Sequence, residues 1–214
     1  MTKPLLNQKK LITCYTRQKG KIACATSFNA FPFLHSAFSH VEMIVYQRSS
    51  EIYSLQDASL VKSFDLTKNF DSLFYAGKIC KALLSIAPFQ TPSPLLYLLF
   101  IKFLEKLALF PHPATLSIAF QLKLLLHEGI LSMQKHCSNC SEKALALSAG
   151  SGKCLSHATN DPICFNEREW DELLLLAYGK SFSAWENIET SSSVEEKIER
   201  AFLELTENTW GEYR

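Results

Sequence analysis

Cys137-Ser138-Asn139-Cys140 is followed, after thirteen residues, by Cys154-Leu155-Ser156-His157. Each pair offers two soft or borderline donors at knuckle spacing, and two knuckles can wrap one tetrahedral ion. Three thiolates and an imidazole suit zinc best. Four protein ligands leave no position for water, so the site is expected to be structural, not catalytic. His136 and Cys164 are alternative fourth donors, and His157 ranks first because it completes the x2 spacing. The competing reading is a set of cysteines with no metal. Ser148, Ala149, Gly150, Ser151 and Gly152 read as a flexible return to the second knuckle. Cys14, Cys24 and Cys80 fall in strand or helix segments and read as core residues.

A second set of residues is cationic. The formal net charge of +1 conceals an uneven distribution. Residues 1–50 hold seven Lys and Arg against the single acid Glu42, whereas residues 166–214 hold five against twelve. That asymmetry raises the expectation of a polyanion partner at the basic end; a solvated basic face is the alternative. Lys9, Lys10, Arg17, Lys19, Lys21 and Arg48 are the candidate phosphate contacts. Tyr15, Phe28, Phe31, Phe33 and Tyr46 are nearby aromatics. Tyr15 and Tyr46 sit within strands and read first as core, while Phe28, Phe31 and Phe33 cluster in a loop-like stretch where bases could stack. Helical Lys78, Lys81, Lys102, Lys106 and Lys123 are candidates, as a set, for an acidic protein tail.

Other chemistries are excluded. The chain has no phosphate-cradling Gly-rich loop, no G-x-S-x-G and no H-E-x-x-H, and His35 and His40 have no carboxylate partner suggested by spacing. The N-terminus has no apolar run before its lysines, which argues against a secretory signal. Seven cysteines, an odd number, argue against a disulfide framework. These features predict a cytoplasmic chain with no membrane and no small-molecule substrate.

The elements that must carry these residues are two-fold in character. Leu11–Tyr15, Lys21–Thr26, Val41–Tyr46, Glu51–Leu55 and Ser59–Phe64 read as short strands, with turns at 18–20 and 47–50. From about Thr67 the period becomes helical: Phe70, Leu73, Phe74, Gly77, Cys80, Leu84 and Ala87 share one face. Pro88 ends that helix, Ser93-Pro94 opens a second and Pro113 a third, with Gly129 suited to the turn after it. The second, apolar on nearly every side, is expected to be the most buried. Asn166 with Glu169, and Ser193 with Glu196, have capping-box spacing for two more helices. The predicted class is α+β multidomain: an OB-like small β-barrel over 1–66, then an α-helical domain over 67–214 with a zinc-knuckle insertion at about 131–165.

The order of these parts resembles the DNA repair protein RecO family. Thr13-Cys14-Tyr15-Thr16-Arg17-Gln18-Lys19-Gly20-Lys21-Ile22 is similar to its TR-x-x-G-K strand-turn-strand. Phe120-Gln121-Leu122-Lys123-Leu124-Leu125-Leu126-His127-Glu128-Gly129 is similar to its F-x-L-K-L-L-x-x-x-G helix end, and the first knuckle follows at the family's distance. The resemblance implies an OB-fold that binds single- and double-stranded DNA, and a protein that anneals complementary strands and helps load the recombinase in the RecF pathway. It implies RecR and the tail of the single-strand DNA-binding protein as partners, association with the nucleoid, and no bond chemistry. Three departures stand out. Only Met1–Lys10 precedes the first motif, so the family's first strand is expected to be short or absent. The family's basic run is replaced by Ala25–Phe33, which carries no positive charge. His157 stands where Cys is common. The alternative is a zinc-stabilised protein-interaction adaptor with little direct DNA binding.

Overall fold

The computed structural model describes residues 2–5, 9–27, 30–35, 38–47, 51–66, 69–159 and 161–210. Two compact units form: Met1–Ala76 with Ala87–Ala108, and Gly77–Ile86 with Leu109–Arg214.

The first unit is built on five strands: β1 (Thr2–Leu5), β2 (Lys9–Thr16), β3 (Gly20–Ser27), β4 (Ser39–Tyr46) and β5 (Ile52–Ser63). Their order is β1-β2-β3-β5-β4. β2 and β3 pair antiparallel from Lys9–Ser27 to Thr16–Gly20. Their turn is closed by Gly20 at φ +66°, a conformation that glycine adopts without strain, and by Thr16 Oγ1, which accepts the Lys19 N–H at 3.1 Å. β4 and β5 form the second hairpin. A three-residue parallel ladder, Ala23–Ile52 to Ala25–Ser54, joins the two hairpins. Ile22, Cys24 and Tyr53 form the core beneath it, with Cys14 and Val45 packed alongside.

The first strand is the short one expected: β1 has four residues and pairs with β2, Thr2 opposite Ile12. Two expectations need correction here. The segments 51–55 and 59–64 are one long strand: Asp57 pairs with Ile44, Leu55 with Val45, and the register shift between them absorbs Gln56 without ending the ladder. The barrel is not closed. Among the described residues β1 and β4 are the edges and do not pair. β1 has four residues and Pro4 brings no N–H, so it offers little ladder for closure.

α1 (Phe70–Ile86) has residues in both units, and α2 (Pro94–Leu107) belongs to the first. Ser93 caps α2 by accepting the Leu96 N–H at 3.3 Å. The second unit holds α3 (Pro113–His127), α4 (Glu167–Tyr178) and α5 (Ser192–Trp210). α3, not α2, is the buried helix: every residue from Thr115 to Leu122 is buried, whereas α2 leaves Leu95 74% exposed. The buried polar side chains of α3 find partners: Thr115 Oγ1 donates to Ile188 O at 2.9 Å, and Ser117 Oγ accepts from Gln121 Nε2. Gly129 ends the turn after α3 at φ +71°. Asn166 and Glu169 form the expected capping box of α4. The α5 cap is Ser191, whose Oγ accepts the Val194 N–H, instead of Ser193. No helix of the described residues is long and apolar enough to cross a membrane.

Candidate metal centre

The stretch between α3 and α4 carries a three-stranded sheet that periodicity does not reveal: β6 (Ala146–Ser148), β7 (Ser151–Lys153) and β8 (Ile163–Cys164), ordered β7-β6-β8. The expected flexible return is a tight hairpin. Ala149 and Gly150 take φ +48° and +73°, the left-handed pair that a two-residue hairpin turn requires. Gly150 has no room for a side chain, because a Cβ there would lie 2.4 Å from Ile130 O.

This hairpin delivers the second knuckle to the first. The Ser138 N–H donates to Gly152 O, and the Cys137 N–H closes the first knuckle on Glu142 O at 2.8 Å. The His157 and Ala158 N–H groups both turn back onto Cys154 O. The three Sγ atoms and a ring nitrogen of His157 then lie within 4.8 Å of one another. Cys140 Sγ and Cys154 Sγ are 3.7 Å apart. His157 Nδ1 stands 3.2 Å from Cys154 Sγ and 3.7 Å from Cys137 Sγ. Zn–S bonds of 2.3 Å at tetrahedral angles would put thiolates about 3.8 Å apart, so the donor set fits that ion. The cluster could hold a metal ion, and the imidazole faces it through Nδ1.

The structure also separates the alternatives for the fourth donor. His136 Nδ1–H donates to Ser141 O at 3.0 Å, and Cys164 is exposed on β8 with its thiol toward Pro162 O. Neither joins the tetrad.

Electrostatics prepare one thiol. Burial opposes ionisation of Cys137, but the backbone N–H groups of Cys154, Asn139 and Cys140 and the Cys154 thiol outweigh it and bring the group down to about 6. Cys154 is pushed up to about 11, by burial first and then by the Glu142 carboxyl and the neighbouring thiols. An ion entering the tetrad therefore displaces protons. Asn139 reaches the site twice: its N–H donates to Cys137 Sγ, and its Oδ1 accepts from Lys153 Nζ at 2.7 Å. Trp170 of α4 anchors the module, donating Nε1–H to Gln134 O at 3.1 Å and laying its ring against Gly152. Sequence reasoning passed over Trp170; a tryptophan one residue beyond a capping box was the available signal.

In the first unit the cations fall in two places. Lys9 and Lys10 open β2, and Arg17, Lys19 and Lys21 surround the turn at its other end, about 24 Å away along an eight-residue strand. Arg17 and Lys19 are exposed and make no ion pair among the described residues. Lys19 Nζ lies 5.3 Å from the Tyr53 ring centroid. Phe28 and Arg48 lie outside the described residues. Phe31 and Phe33 are half-buried and pack on each other, ring centroids 6.1 Å apart. Tyr15 packs edge-on against Phe100 of α2, consistent with a core role, and Tyr46 is exposed on the edge strand. Of the helical lysines, Lys78 is bound to Glu195 and Glu199, and Lys123 donates to Ala177 O and Gly179 O at the end of α4.

Residues 67–212 match the family model described as Recombination protein O C terminal. Relatives named DNA repair protein RecO include that of Chlamydia muridarum, 27% identical over 177 residues that cover 80% of this chain and 74% of the relative. The one from Chlamydia pneumoniae is 26% identical over 208 residues, 95% of this chain and 81% of the relative. A more distant one, from Caldicellulosiruptor saccharolyticus, is 25% identical over 148 residues, 64% of this chain and 58% of the relative.

Proposed function

Because the chain belongs to the recombination protein O family, we propose that it is a DNA repair protein that binds single- and double-stranded DNA and anneals complementary strands. Loading of the recombinase in the RecF pathway, with RecR and the tail of the single-strand DNA-binding protein as partners, follows from the same reading. The observation that carries it is the β2–β3 turn, where Arg17, Lys19 and Lys21 gather on the motif that resembles the family's TR-x-x-G-K. Lys9, Lys10 and Arg48 extend the cationic set, and Phe28, Phe31 and Phe33 are its candidate stacking residues. Such a surface holds backbone phosphates without reading sequence, so affinity should fall steeply with salt. No bond chemistry is involved.

Zinc at Cys137, Cys140, Cys154 and His157 would be structural, since four protein donors fill its tetrahedron. The ion would tie the two knuckles of the 131–165 module to each other and take no part in binding DNA directly.

The second reading, an adaptor with little DNA contact, is favoured by a pair of exposed rings on α1. Phe70 and Phe74 are 77% and 48% exposed and stack at 6.4 Å, a surface suited to a protein partner.

Binding and annealing of labelled oligonucleotides across a salt series test the first reading. Salt-sensitive binding and accelerated annealing are expected. A chain that retains its fold and binds neither single- nor double-stranded DNA at low salt rejects it in favour of the adaptor.

A further inference from the structure

The linker between α1 and α2 is clamped to the β2–β3 turn. Phe89 forms a parallel bridge with Lys21, and the Gln90 N–H donates to Lys21 O at 2.9 Å. Thr91 O lies so close to Gly20 that a Cβ there would be 2.1 Å away. Thr91 Oγ1 in turn donates to Phe89 O at 3.4 Å. The backbone under Phe89 is therefore fixed on both sides, yet the residue is 56% exposed. Lys21 Nζ stands 4.5 Å from the ring centroid. Arg17 and Lys19, both exposed, occupy the same turn.

A single exposed apolar residue on a loop needs no explanation. A flat ring held on a fixed backbone, with an ammonium over one face and two exposed cations on the adjoining turn, is an arrangement that suits single strands: the other π-face for a base and charges for the phosphates. We propose that Phe89 is a base-stacking platform for single-stranded nucleic acid, with Lys21, Lys19 and Arg17 as its phosphate contacts. The proposal rests on the DNA-binding reading above and places the stacking surface on the α1–α2 linker. Phe31 and Phe33, half-buried against each other, present less ring to a base. Stacking is indifferent to base identity, so the platform would add affinity without sequence preference.

The test separates bases from phosphates. Binding of an oligo-dT strand is compared by fluorescence anisotropy with binding of an abasic strand of the same length, which keeps every phosphate and lacks the bases. The wild-type chain should prefer dT by about 5- to 150-fold, the range that one stacked base supplies. Phe89→Ala should remove most of that preference while changing affinity for the abasic strand less than twofold, and Phe89→Trp should restore it. The double variant Arg17→Ala with Lys19→Ala should weaken both strands by the same factor. Phe89→Ala that keeps the dT preference, or that weakens both strands equally, overturns the platform while leaving DNA binding intact. A wild-type chain that binds neither strand overturns the DNA-binding reading, and the platform with it.

Discussion

The carbonyl oxygen of Thr91 occupies the space where a side chain at Gly20 would begin, 2.1 Å from an ideal Cβ. The same glycine sits at φ +66°, so it serves both the hairpin turn and the docking of the α1–α2 linker. Gly20→Ala should therefore destabilise the first unit by about 2–4 kcal/mol, combining left-handed strain with an overlap against backbone. Urea denaturation checks this; a loss under about 0.5 kcal/mol would mean that the linker is free to move aside.

Protein purified from zinc-replete medium should contain about one zinc per chain, lost in Cys137→Ser and in Cys154→Ser. Cys164→Ser and His136→Ala should keep it, because neither side chain reaches the tetrad. Elemental analysis of the four variants decides. Full metal in Cys137→Ser would sink the assignment.

Trp170→Ala should cost about 3–5 kcal/mol, the usual loss for a buried aromatic. It should also raise hydrogen exchange selectively over residues 131–165, since the indole holds Gln134 O and covers Gly152. Uniform exchange across the second unit would show that the ring is ordinary core.

Lys78 binds Glu195 at 2.5 Å and also Glu199, joining α1 to α5. Burial lowers its pKa, but the two carboxylates prevail and the net shift is upward. Folding therefore favours the protonated form, and this contribution is complete below the ordinary lysine value of 10.5 and disappears as pH climbs through the higher folded value. Lys78→Met should destabilise by about 1–3 kcal/mol at pH 7, and the gap to wild type should shrink above pH 10.5. Melting curves at pH 7 and pH 11 measure both; an equal gap at the two values would contradict the ion-pair origin.

Replacing Arg17 and Lys19 together by Ala should flatten the salt dependence of single-strand binding. Two lost phosphate contacts reduce the slope of log K against log salt by about 1.4. An unchanged slope would place the contacts elsewhere on the chain.

Much of the helical architecture was legible because punctuation marks it: Ser93-Pro94, Pro113, and the Asn166–Glu169 box each stand where a helix begins. The grouping of Cys137, Cys140, Cys154 and His157 was legible because donor spacing survives any fold; spacing already ranked His157 first, and the β6–β7 hairpin leaves His136 outside the cluster. The small sheet was not legible. Strands of two or three residues are too short to show alternation. α2 read as the deepest helix on apolarity alone, but its Leu95 and Leu98 are exposed, and only packing shows that α3 takes the interior. Phe89 escaped notice because a linker far along the chain meets Lys21 through one parallel bridge, and no local pattern encodes that meeting.

The tetrad has an inner and an outer side. Cys137 and Cys154 are 5% and 3% exposed, while Cys140 is half-buried and His157 faces solvent. An ion held there would be fastened by the inner thiolates and latched by the outer pair. Exchange with chelators would then begin at Cys140 and His157, and attack by oxidants at the Cys140 thiolate. The ion's residence time would be set by how often that latch lifts, on a timescale separate from unfolding of the sheet beneath it.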